Sequence, residues 1–105
     1  MANKKYEVDM SKIQYWMTDN KATVHRHSVS SLKEHLDKTP ENEVVKIIEF
    51  EWGGETYATI YVNIEDMPDA IESAENYFVS LDLFEEAIEA RDLNKKLKKI
   101  IPTKE

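Results

Sequence analysis

The sequence predicts an α+β domain: two antiparallel β-hairpins, most simply joined as a four-stranded sheet, with one short helix and two C-terminal helices (or one long bent helix) on one face. Three observations carry this. Apolar and polar residues alternate on either side of Gly53-Gly54, at 44–52 and 55–62, the period of a hairpin closed by a two-residue turn. Met67, Ile71, Ala74, Phe78 and Leu81 recur at helical spacing. Beyond Asp82, Ala90, Leu93, Leu97 and Ile100 form a stripe out of phase with that of Phe84 and Ile88, which divides the C-terminal part into helices at about 67–80 and 83–100.

The remaining elements follow in order. Tyr6, Val8 and Met10 alternate with acids as in a strand, and Ile13, Tyr15 and Met17 alternate again one position out of phase, implying a break near Ser11. A strand is favoured over 12–18, with a helix N-capped by Asp9 as the rival. TDNK at 18–21 is turn chemistry, and ATVHRHSV after it reads as the returning strand of the first hairpin. Ser31 and Glu34 have the spacing of a capping box that opens a short helix, closed by Thr39-Pro40. Asp66 is expected to cap the helix that carries Pro68 in its first turn, and Asp82 with Glu85 repeats the pattern for the last helix. That helix is acidic early and basic late, matching the helix dipole at both ends, and Pro102 ends it.

At 105 residues the chain has room for one domain, 1–105, with short flexible ends at about 1–5 and 102–105. A hydrophobic content of 41% and a charged content of 33% fit a folded domain rather than a disordered one. Without cysteine there is neither a disulfide nor a thiolate metal site, and without a long apolar run or a signal peptide the default location is cytoplasmic.

Charge is unevenly spread. Residues 1–40 hold seven Lys and Arg against five acids, whereas 41–92 hold fifteen acids against Lys46 and Arg91, and the net charge is −7. Such a middle lacks the basic density that nucleic-acid binding needs, so no direct nucleic-acid contact and no membrane contact are expected, and a protein partner with a basic surface is favoured. The plainer account of the charge is solubility. Lys95, Lys96, Lys98 and Lys99 would suit a phosphate surface, but a helix C-terminus favours lysines in any case.

No arrangement argues for catalysis. The only two glycines lie in a turn, so no phosphate loop exists, and the acids of 85–89 lie in a pattern that predicts exposure. His25 and His27 would share one side of a strand, a weak metal pair with no third ligand; no metal or cofactor is expected.

Paired through its glycines, the second hairpin places Trp52, Phe50, Ile48 and Lys46 on one face with Glu55, Tyr57, Thr59 and Tyr61. The other face carries Glu51, Glu49, Ile47 and Val45 with Thr56, Ala58, Ile60 and Val62. Neither face is polar throughout, so Val45, Ile47, Ile60 and Val62 should be covered by a helix or by a second chain. The tip residues Glu49, Glu51, Trp52, Glu55 and Tyr57 are the candidate partner-binding set: acids to attract, rings to anchor. The function that follows is a non-enzymatic inhibitor or immunity-type or antitoxin-like blocker of a basic partner, a nucleic-acid-binding protein being one such partner. A structural or assembly subunit acting as a homodimer is the alternative.

Overall fold

The computed structural model describes residues 5–37 and 44–100. Among them are three strands and four helices: β1 (Lys5–Glu7), α1 (Ile13–Asp19), α2 (Lys21–Asp37), β2 (Val44–Trp52), β3 (Glu55–Asn63), α3 (Met67–Ser80) and α4 (Phe84–Ile100). The class is α+β, but the sheet is three-stranded and mixed, in the order β1-β2-β3, rather than the expected four-stranded antiparallel pair of hairpins. β1 runs parallel to β2, with Tyr6 beside Phe50, and β2 runs antiparallel to β3. Two parallel neighbours cannot be joined by a tight turn, so the chain between them must cross over, and α1 and α2 make that crossing.

The first hairpin is therefore absent. Asp9 Oδ1 accepts hydrogen bonds from Ser11 N–H at 3.0 Å and Ser11 Oγ–H at 2.9 Å, opening a short 3₁₀ turn that leads into α1. The Asp9-capped helix thus prevails over the strand at 12–18. The expected turn exists at Asn20, but it is a corner between helices. Its backbone N–H and side-chain amide both donate to Trp16 O, at 2.9 and 2.8 Å, and its carbonyl accepts from Val24 N–H at 3.0 Å to begin α2. Ser31 lies in the interior of α2 and caps nothing.

α2 packs on β2 on one side and α3 on the other. That position explains the small and β-branched residues in its middle. Ser28 and Ser31 are buried beside Val29 and Leu32, and small side chains let two neighbours approach the same helix. Ser28 satisfies its hydroxyl within the helix, donating to Val24 O at 3.2 Å. Thr39-Pro40, Pro102 and most of the expected flexible ends lie outside the described residues.

α3 occupies the expected span and buries Met67, Ile71, Ala74 and Phe78. Asp66 does not cap it by side chain; it closes a 3₁₀ turn, Ile64–Asp66, that carries β3 into the helix. Asp82 likewise belongs to the end of α3 rather than the start of α4. Leu83 N–H reaches Phe78 O at 2.8 Å and Asp82 N–H reaches Val79 O at 3.0 Å, the paired bonds of a Schellman end, with Asp82 left-handed at φ 60°. α4 buries Ala87, Ala90, Leu93 and Leu97 and leaves Phe84 and Ile88 half-exposed.

The core gathers Phe50, Ile47 and Ile48 from the sheet, Leu32 from α2, Ile71 and Phe78 from α3, and Leu97 from α4. Each such fully buried side chain contributes about 1.5–3 kcal/mol. Among the described residues no helix is long and apolar enough to cross a membrane.

Candidate interaction surface at the second hairpin

The hairpin pairs as expected at both ends: Trp52 opposite Glu55 and Glu51 opposite Thr56 at the tip, Lys46 opposite Tyr61 and Val45 opposite Val62 at the base. Between them the register moves by one, with Phe50 opposite Ala58, Glu49 opposite Thr59 and Ile48 opposite Ile60. Ile47 on β2 and Tyr57 on β3 are the extra residues of two bulges that compensate one another.

This changes the faces. Extra residues put Ile47 on the same side as Ile48, so Val45, Ile47, Ile48 and Phe50 all turn to the helices with Ala58, Ile60 and Val62; the four on β2 are buried. Lys46, Glu49, Glu51, Thr59 and Tyr61 share the opposite face, which corrects the expectation that Lys46, Thr59 and Tyr61 would lie with Phe50. The aliphatic base is thus covered by the chain's own helices and does not need a second chain.

The tip turn has φ of 62° at Gly53 and 83° at Gly54. A side chain at either position would meet open space, so it is the backbone conformation, not crowding, that requires glycine. The turn fixes where Trp52 and Glu55 stand.

Of the five candidate residues, three remain available at the surface. Glu49 is only 9% exposed and is held by Lys46 Nζ, with Lys5 Nζ at 3.7 Å. The bulge makes that pair, since residues three apart in a regular strand point to opposite faces. The Lys46 hydrogen bond holds the Glu49 carboxyl below the usual carboxylate range, against the opposing effect of burial, and raises the amine in turn. Tyr57 is a strut: its phenol donates to Val8 O at 2.5 Å, spanning β2 to the segment after β1. Burial, with the nearby Asp9 charge, raises its pKa.

Trp52 is 53% exposed, Glu55 is exposed and Glu51 is half-buried. Sequence reasoning missed Glu7, which the parallel pairing sets directly beside Glu51. Neither acid has an ion-pair partner among the described residues, and like charges in register on neighbouring strands oppose one another. The signal available was the outward position of Glu7 between Tyr6 and Val8. What could not be read was which strand would lie beside it.

The HRH motif separates. On α2, residues two apart point to different sides: the His25 ring lies 4.8 Å from that of Tyr77, while His27 is buried with Nε2 2.5 Å from Tyr6 Oη. Burial first, and the Lys21 charge second, lower the His25 pKa. Among the described residues no group of three or more His, Asp or Glu is placed to hold a metal ion. No family model, no curated protein and no solved structure matches this chain.

Proposed function

We propose that the protein is a small, acidic, non-enzymatic binding module that blocks a basic protein surface, with the hairpin tip as its contact. One observation carries the reading: Trp52 stands more than half exposed beside Glu55 at the two-glycine turn, with Glu51 and Glu7 on the other face of the same sheet end, and no cation is paired to these acids among the described residues. An exposed indole supplies contact area at low entropic cost, and uncompensated acids around it speed encounter with a cationic surface. The action is occlusion, as in an inhibitor or an immunity-type or antitoxin-like protein.

The experiment isolates a partner from the native host and measures its association with three chains: unaltered, Trp52→Ala, and Glu51→Lys with Glu55→Lys. The charge reversal is expected to slow association by about tenfold at low salt and less at high salt. Trp52→Ala is expected to weaken affinity by about thirtyfold through faster dissociation. An association rate indifferent to both salt and the reversal overturns the reading. Glu49 is left unaltered because its charge is engaged with lysines.

The alternative, an assembly subunit, loses the aliphatic base of the hairpin as its surface. It keeps the corner between α3 and α4, where Val79, Leu81, Phe84 and Ile88 are each about half exposed.

A further inference from the structure

The two edges of the sheet are built differently. β1 is three residues long and begins and ends on charged residues, Lys5 and Glu7. β3 is nine residues long, and from Thr56 to Ile64 it belongs to the longest run of the chain without Asp, Glu, Lys or Arg. It has no proline, and no helix among the described residues packs along it; β2 is its one substantial neighbour. Short length, charges, proline and coverage are the devices that keep a strand edge from pairing with another chain. β1 has the first two, whereas β3 has only the bulge at Tyr57, near one end.

We propose that β3 is the seam of a homodimer, pairing antiparallel with β3 of a second copy about a two-fold axis at Thr59, to make one continuous six-stranded sheet. The occupant is chosen by charge and by register. In a chain of net charge −7, this edge is where two copies meet without setting acid against acid. With Thr59 opposite its own symmetry mate, Ala58 faces Ile60 of the second copy along the regular stretch beyond the bulge at Tyr57. Glu55, the one charged residue of the strand, lies beyond the bulge, toward the uncharged Val62 and Asn63 of the second copy. A threonine pair across neighbouring strands is a favourable match, and no like charges oppose. An interface of this kind is isologous, so it closes at two chains instead of growing into a fibre. It stands apart from the tip reading. If both hold, the axis carries two tips pointing opposite ways, about 35 Å apart along the strands, so that one dimer engages two sites.

The test is sedimentation across micromolar to millimolar concentration, together with amide hydrogen exchange at both ends of that range. The unaltered chain is expected to dimerise, with exchange of the β3 amides slowing as concentration rises. Thr59→Lys sets like charges together at the axis and is expected to raise the dissociation constant by about tenfold or more. Circular dichroism checks that the fold is kept. Tyr61→Lys, at an exposed position, is expected to act in the same direction and serves should Thr59→Lys fail to fold. A chain that stays monomeric at millimolar concentration overturns the proposal. So does a dimer that survives both substitutions but is lost in Phe84→Ser, which would assign the contact to α4.

Discussion

Asp82 has the left-handed backbone of a helix end, where a side chain with a Cβ costs about 1–2 kcal/mol and glycine costs nothing. It is exposed, and the Schellman bonds around it are all main-chain. Asp82→Gly is therefore expected to stabilise the fold by about 1 kcal/mol, after the loss of backbone freedom in the unfolded chain is set against the relief. Thermal unfolding checks it, and a lowered midpoint would show that the aspartate side chain serves a role at the start of α4. Tyr57 gives the opposite case. Tyr57→Phe keeps the ring but leaves Val8 O without its phenol donor, so a midpoint lower by a few degrees is expected. An unchanged midpoint would mean that water replaces the strut at no cost.

Among the elements, the second hairpin shows what alternation conveys and what it conceals. Its span, its turn and the pairing at both ends follow from local chemistry: two glycines with branched and aromatic residues beside them. The bulges do not, because one unpaired residue in each strand leaves the ends in agreement with a flat ribbon. A flat ribbon puts Ile47 on the face of Glu49, whereas the structure puts it in the core with Ile48. Ile47→Ala and Ile48→Ala are accordingly expected to cost similar amounts, about 2–5 kcal/mol each, measured by urea unfolding. A markedly smaller cost at Ile47 would restore the flat pairing. The first half of α2, read as a strand, was illegible for a different reason: its histidines, serines and valines favour strands and turns by propensity, and burial between β2 and α3 overrides that preference, whereas its second half was expected to be helical. α3 was legible because a regular apolar stripe and an early proline agree with its tertiary setting.

For the molecule as a whole, four titrating groups shape the pH dependence below neutrality: His25, Glu49, Glu86 and Asp9, whose carboxyl is lowered by its hydrogen bonds from Ser11. The folded state holds His25 below the ordinary imidazole value by burial, so the unfolded chain takes up the proton first. Stability is full above about pH 6.5 and falls as pH drops below it. Glu49 and Glu86 are held below the ordinary carboxylate value by hydrogen bonds from Lys46 and Arg26, so their contributions persist above that value and are lost as pH falls through the depressed ones. A stepwise decline in the urea midpoint is expected, and His25→Gln should remove its first step; an identical decline in that variant would exclude His25 as the cause. Arg26 joins α2 to α4 with two bonds to Glu86, at 2.6 and 3.0 Å, yet it is half-exposed. A double-mutant cycle should therefore return only about 0.5 kcal/mol, decreasing with salt. The candidate surface was partly legible at this scale. Net charge and the glycine turn pointed to the tip, but Glu49 was engaged by Lys46 through a bulge that alternation conceals and Tyr57 by Val8, distant in the chain, and Glu7 arrived through a parallel pairing that no local pattern encodes. The two bulges have one more consequence. Removing Ile47 and Tyr57 together would return every other residue of the hairpin to its present face, so these two residues leave inside and outside unchanged. What they add is coil and length, and bulges tighten the right-handed twist of a strand pair. The direction in which Trp52 is aimed is thus set separately from the packing of the sheet, and a paired deletion would re-aim the tip while leaving the core's side-chain assignments in place.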